Sequence, residues 1–271
     1  IDESTRMNIL SLYGSHDSSA TFLDKNCELM VLEYERIAKQ RYAAFNKGAQ
    51  VFDHVGTTDQ QRKEFLDYID SVIISKPDLV LHNQMCADDV AQFKKYWPDA
   101  EYREVSWHHI SHAACGYFQS PFDDALIVSA DGGGVDEGIS TTTKIFNASG
   151  SEIKSVSHIR IDFGAAYGKI GFPIKEISKK GANLAIAGKV MGLCAYGNVI
   201  PEWVEALTSY YIHDHHSLPK LSERLGFDVN THDVLSGQKA YDLAATSQYV
   251  FERLMFELVR QHYDANPRNL V

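Results

Sequence analysis

Little in this chain of 271 residues could be cross-linked or clustered around sulfur. Its four cysteines, Cys27, Cys86, Cys115 and Cys194, are scattered without a CxxC pair, which excludes a disulfide framework and a thiolate zinc site. No apolar run approaches the roughly 18 residues that a membrane-spanning helix needs. The N-terminus also lacks a basic segment followed by an apolar one. No membrane association is expected, and a cytoplasmic location is. Basic residues are the minority, 26 Lys and Arg against 36 Asp and Glu, for a formal charge of -10. A sequence-independent grip on duplex nucleic acid, which draws on clustered Lys and Arg, is therefore not expected. The sequence also has no GxxxxGK[ST] phosphate loop.

What is present is an ordinary globular composition, 44% hydrophobic and 23% charged. Residues 1–6 precede a methionine at which a clean strand begins, and are read as a remnant outside the fold. From Asn8 the pattern predicts three strands (NILSLY, ATFLD, ELMVLEY) and a helix over 61–75. A strand (DLVLHN), a helix (CADDVAQFKKYW), a strand (REVSW) and a histidine-rich helix then follow. At Asp124 the pattern restarts with ALIVSA, a DGGG loop, STTTKIF, an NASG turn and EIKSVSHIRI. Helices are predicted over 163–174, 182–195, 201–212, 218–225 and 238–264, before the chain reaches what reads as the start of another strand at 269–271.

Two β-β-β-α openings make a weak internal repeat. The expected fold class is α/β, an actin-like ATPase (ASKHA, ribonuclease-H-like) fold of two similar halves, the second incomplete at its C-terminus. The expected boundaries are a first subdomain over 7–122 and a second over 123–271, with a helical insertion over about 163–236.

The densest chemistry lies in WHHISHAACGYF, residues 107–118. On a helix, His108 and His112 share one face and can converge on a metal ion, whereas His109 is turned about 100° away. No Glu lies between them, so the HExxH zinc-protease pattern is absent. A third ligand must come from elsewhere, and Asp131, at the end of the next strand, is the nearest candidate by topology. Two imidazoles and a carboxylate suit Fe(II), Zn(II) or Mn(II). The bland alternative is a helix cap, or packing against Trp107 and Tyr117. Gly132, Gly133 and Gly134 permit close backbone approach to a phosphate, although DGGG alone is more often a turn. In GKVMGLCAYG, residues 188–197, Gly197 reads as a helix C-cap, while Lys189 is placed to face a cleft.

Taken in order, these motifs resemble the NodU/CmcH-type carbamoyltransferases, whose N-terminal domain is related to the TsaD-type ATPase of tRNA threonylcarbamoylation. The matching stretches are GSHDSSA (14–20), the Glu35-Arg36 pair, WHHISHAA, SPFDDALIVSADGGG (120–134), the TTT strand, FGAAYGKIGF (163–172), GKVMGLCAYG and YDLAATSQ.

The resemblance implies O-carbamoyl transfer. ATP and carbamoyl phosphate form carbamoyl-adenylate in a YrdC-like domain, and the N-terminal domain passes the carbamoyl group to a substrate hydroxyl. It implies His108, His112 and Asp131 at a divalent metal, Fe(II) first and Zn(II) or Mn(II) as alternatives, with Gly132, Gly133, Gly134 and Lys189 near the nucleotide. His16 and Asp17 match the transfer site, where an imidazole suits a general base. Lys39 and Arg41 either face the anionic intermediate or belong to a solvated stretch.

The implied partners are a small hydroxyl acceptor and a YrdC-like domain, in the same polypeptide or in trans; a homodimer is allowed. The chain has no length for a YrdC-like domain and stops where the family continues into a second glycine motif. It also reads LCAYG where the family has LAPYG. Two alternatives stay open: a threonylcarbamoyl-type ATPase and a non-catalytic nucleotide-binding domain. The His213–His216 cluster matches no family motif and reads as an exposed loop.

Overall fold

The computed structural model describes residues 6–46, 57–136, 138–177 and 186–271. The expected start of the helix over 182–195 and most of the N-terminal remnant lie outside the described residues. The chain divides at Ser106/Trp107 into two compact units, each a mixed α/β arrangement.

In the first unit, β1 (Ile9–Tyr13), β2 (Ser19–Leu23) and β3 (Leu29–Glu33) form an antiparallel meander. Their alternating pattern places Leu10, Leu12, Ala20 and Phe22 on one buried face. A short helix not expected from the pattern, α1 (Tyr34–Ala38), takes the last residue of the predicted third strand and buries Tyr34. Next comes α2 (Asp59–Val72), which starts at a capping box. Thr58 accepts from the Gln61 backbone, and the Gln61 side chain accepts from the Thr58 N–H.

β4 (Leu79–Asn83) then lies parallel to β1, followed by α3 (Ala87–Tyr96) and β5 (Glu101–Glu104), giving the order β3-β2-β1-β4-β5. The predicted REVSW strand is therefore shifted. Pairing begins at Glu101 opposite Leu79, which turns Tyr102 toward the core and leaves Ser106 and Trp107 beyond the strand. Phe65, Leu66 and Ile69 of α2 and Phe93 of α3 close the helix-covered face.

The second unit begins with α4 (His108–Gln119), whose Ala113 and Tyr117 pack on Ala125, Ile127, Phe146 and Ala148 of the sheet behind it. That packing places the histidine helix with the second unit, rather than with the first as the 122/123 boundary expected. The sheet is a meander of β6 (Asp124–Asp136), β7 (Ile139–Ser149) and β8 (Glu152–Ile159), with β9 (Asn269–Leu270) parallel to β6. Its order, β8-β7-β6-β9, repeats the β3-β2-β1-β4 order of the first unit.

DGGG is not a loop between strands. It is a bulge within β6, where the register to β7 slips between Ala130 and Gly134 before pairing resumes at Thr141. Asn147 to Ser149, expected in a turn, complete β7.

The remaining helices are α5 (Phe163–Ile170), α6 (Ile186–Cys194), α7 (Pro201–Ile212), α8 (Leu218–Leu225) and α9 (Gln238–Tyr263). They share one core that includes Tyr167, Val190, Leu207, Tyr210, Leu243 and Val250. α5 stops earlier than the predicted Ile174 because Pro173 cannot continue it. Gly197 has no left-handed φ. A Cβ there would collide with the Tyr241 carbonyl, so the glycine serves close packing against α9 rather than capping α6. Among the described residues no helix is long and apolar enough to cross a membrane.

Candidate metal centre

α4 begins without a side-chain cap from its own N-cap residue, Trp107. Asp136, at the far end of β6, supplies what is missing, accepting from the backbone N–H of His109 at 3.2 Å and of Ile110 at 3.5 Å. A carboxylate at this end also complements the helix dipole. With the first turn fixed in this way, His108 and His112 project from one face.

The bulge in β6 turns Asp131 toward them. Asp131 Oδ2 lies 2.6 Å from His108 Nε2 and 3.4 Å from His112 Nε2. The ligand atoms of the three residues all fall within 4.8 Å of one another. The two imidazole rings stand edge to face with centroids 4.9 Å apart. His108 is largely enclosed, while His112 and Asp131 are open to solvent.

Charge at the site is mutually supporting. The hydrogen bond from His108, then that from His112, holds the Asp131 carboxyl far below the usual carboxylate range. In return the Asp131 carboxylate raises His112 above the ordinary imidazole value, against an opposing effect of burial. A carboxylate fixed as an anion between two imidazole nitrogens is the donor set that a borderline divalent cation accepts. The three predicted ligands thus fit a metal in type and in mutual distance.

The glycines play three different parts. Gly134 is required by His108, because a Cβ there would fall inside the His108 ring. Gly133 adopts φ +135°, which side-chain-bearing residues rarely enter. Gly132 faces open space, and its N–H turns back to the Asp131 carboxylate at 2.6 Å. Gly164, in the first turn of α5, approaches Gly132, and the α5 N-terminus is capped by Asp162 through the Ala165 N–H. Lys189 lies half-buried on α6, beside the buried Val190.

His16 and Asp17 belong to the first unit, on the loop between β1 and β2. His16 Nδ1 lies 2.8 Å from Asp17 Oδ2, and Asp17 takes a left-handed φ of 57°. Ser18 holds this loop down. Its hydroxyl donates to the Ser15 carbonyl and accepts from the Phe45 N–H, and its own N–H donates to the Ala43 carbonyl. Lys39 ends α1 in a left-handed conformation, and the Arg41 guanidinium lies 4.7 Å over the Tyr42 ring.

The His213–His216 stretch is a structural turn. His213 ends α7, and the buried Asp214 carboxylate accepts from Arg224 Nε at 2.8 Å and Nη2 at 3.3 Å. Among the described residues His108, His112 and Asp131 are the only group whose spacing suits a metal ion.

Sequence reasoning missed a buried polar layer beneath the ligands: His109, Ser129, Asp136, Thr141 and Lys144. No local pattern marked it, because Lys144 follows a run of Ser and Thr in β7 and Asp136 follows the glycines of β6.

Two histidines and a carboxylate thus converge on a mixed α/β unit in an arrangement that could hold a metal ion, and comparison with known proteins gives the family. Residues 94–271 match the model of the carbamoyltransferase N-terminus, and the chain belongs to that family. A 164-residue stretch is 27% identical to the nodulation protein NolNO of Sinorhizobium fredii, covering 57% of this chain. The match spans 22% of the NolNO length. Among solved structures, full-length HypF in its phosphate- and nucleotide-bound form superposes with a TM-score of 0.47 at 11% identity, over 96% of this chain and 39% of that one. That likeness is too slight to bear on chemistry.

Proposed function

We propose that this chain carries the transfer part of an O-carbamoyltransferase, built on an ASKHA fold, which moves the carbamoyl group of carbamoyl-adenylate to a substrate hydroxyl. The observation that carries the reading is the convergence of His108, His112 and Asp131 within the segment matching the carbamoyltransferase model. The strand order shared by the two units supports the fold assignment.

His108, His112 and Asp131 would hold the ion, with Fe(II) first and Zn(II) or Mn(II) as alternatives. When bound, that ion supplies positive charge for the phosphate of the adenylate. The backbone at Gly132 to Gly134 and the Lys189 ammonium are assigned to the nucleotide. His16, whose Nδ1 lies 2.8 Å from Asp17 Oδ2, is assigned the general-base role of taking the proton of the acceptor hydroxyl, with Asp17 orienting its ring. The hydroxyl oxygen then bonds to the carbamoyl carbon, the bond from that carbon to the phosphate oxygen breaks, and AMP leaves. Carbamoyl-adenylate would come from ATP and carbamoyl phosphate through a YrdC-like domain, in the same polypeptide or in trans.

The test supplies carbamoyl-adenylate to the metal-loaded chain with a panel of sugars, oligosaccharides and nucleosides, and reads acceptor mass together with AMP release. Acceptor-dependent AMP release with a carbamoylated product, lost in a folded His108→Ala variant, is the expected result. Nucleotide binding without transfer to any acceptor would overturn the reading in favour of a binding domain.

A further inference from the structure

The third histidine of the WHHISH stretch is the most deeply buried of the three, and it lies outside the ligand set. Both of its ring nitrogens are engaged. His109 Nε2 lies 2.9 Å from the Thr141 carbonyl oxygen, and Nδ1 lies 2.9 Å from Ser129 Oγ. A carbonyl only accepts, so Nε2 carries the proton and the Ser129 hydroxyl donates to Nδ1. One ring therefore ties the first turn of α4 to both β6 and β7.

The same ring meets its neighbour. His109 and His108 stand edge to face, with centroids 4.9 Å apart at 80°. On another side, His108 occupies the space that a Cβ of Gly134 would take. Asp136 secures the turn from below through the His109 and Ile110 N–H groups, and Lys144 Nζ lies 3.3 Å from Asp136 with both side chains buried. A side chain that only filled space would need neither Ser129 nor Thr141. A histidine with both nitrogens satisfied has one orientation, since any rotation orphans buried polar groups.

We propose that His109 is the positioning residue of the metal centre: bonded to Ser129 and Thr141, it holds the His108 ring against Gly134 so that His108 Nε2 faces Asp131. The proposal rests on the reading of His108, His112 and Asp131 as metal ligands. Groups that orient a ligand in this way are typically worth about 10- to 100-fold in metal affinity.

The test uses the full chain and Co(II) as the probe, with the visible absorption band reporting ligand geometry, a competing chelator reporting affinity, and thermal unfolding reporting the fold. His109→Ala and Ser129→Ala should weaken Co(II) binding about 10-fold or more and alter the band. His109→Gln, whose amide can donate to Thr141 and accept from Ser129, should restore most of both. Because His109→Ala opens a buried cavity, Ser129→Ala decides the matter if that variant does not fold. A folded Ser129→Ala variant with wild-type affinity and band overturns the positioning role while the metal reading stands. A wild-type chain that binds no Co(II) overturns the metal reading and this proposal with it.

Discussion

The Cα hydrogen of Gly134 points into the imidazole of His108, and no side chain could stand where that ring lies. A glycine in a phosphate-type loop is usually credited to backbone approach toward a ligand, but here the ring of His108, a proposed metal ligand, fills the space. Gly134→Ala should therefore expel His108 and abolish stoichiometric metal binding. Gly132→Ala, which meets open space, should retain it. Metal titration of the two variants checks the contrast, and equal affinities would refute it.

If His108, His112 and Asp131 hold a metal as proposed, Asp131 and His112 should make its binding depend on pH in a defined direction. Without metal, the Asp131 carboxylate raises the folded-state His112 above its ordinary value. The protonated pair thus contributes stability that is fully present below about pH 6.5, the unfolded imidazole value, and is lost as pH rises through the higher folded value. Metal competes with that same proton, so affinity should rise over the same range as stability of the metal-free protein falls. NMR titration of His112 in the wild-type chain and in Asp131→Asn checks the cause. The variant should return His112 toward its ordinary value, and an unchanged titration would exclude Asp131 as the origin.

How far these features could be read beforehand depended on the range of the interactions behind them. His108 and His112 lie four residues apart on one helix, and β1, β2 and β3 alternate cleanly, so local periodicity sufficed for both. Asp131 was reachable because it ends a recognisable apolar run. Asp136, Ser129 and Lys144 were not, since their roles arise only when α4 folds back on strands 20 or more residues away. Sequence also could not say that β6 continues through DGGG, because pairing with Thr141 resumes only after a bulge. The slip of β5 from REVSW to Glu101–Glu104 has the same origin. Its register is set by Leu79 on a neighbouring strand rather than by its own pattern.

Ser18 is expected to control the His16 loop without taking part in proton transfer. Its buried hydroxyl bridges the Ser15 carbonyl and the Phe45 N–H. Ser18→Ala leaves both without that partner, at a cost of about 1–3 kcal/mol in stability. Denaturant unfolding should show that loss, while metal binding at His108, His112 and Asp131 should be unchanged. A metal affinity that falls in parallel would mean that Ser18 does more than hold the loop.

Asp214 provides a prediction about stability rather than chemistry. The Arg224 guanidinium holds its carboxyl below the usual carboxylate range, with Lys220 adding a weaker attraction, while burial opposes both. A depressed folded value means that the contribution is present above the unfolded value near 3.8 and is lost as pH falls below it. Because Arg224 is nearly half exposed, the interaction is screened, and Asp214→Asn should cost about 1–2 kcal/mol at neutral pH. The difference in unfolding free energy between variant and wild type should shrink as pH drops below about 4, once the native carboxyl is itself protonated. A difference that persists at low pH would show that packing at the turn between α7 and α8, and not the charge on Asp214, is what the substitution disturbs.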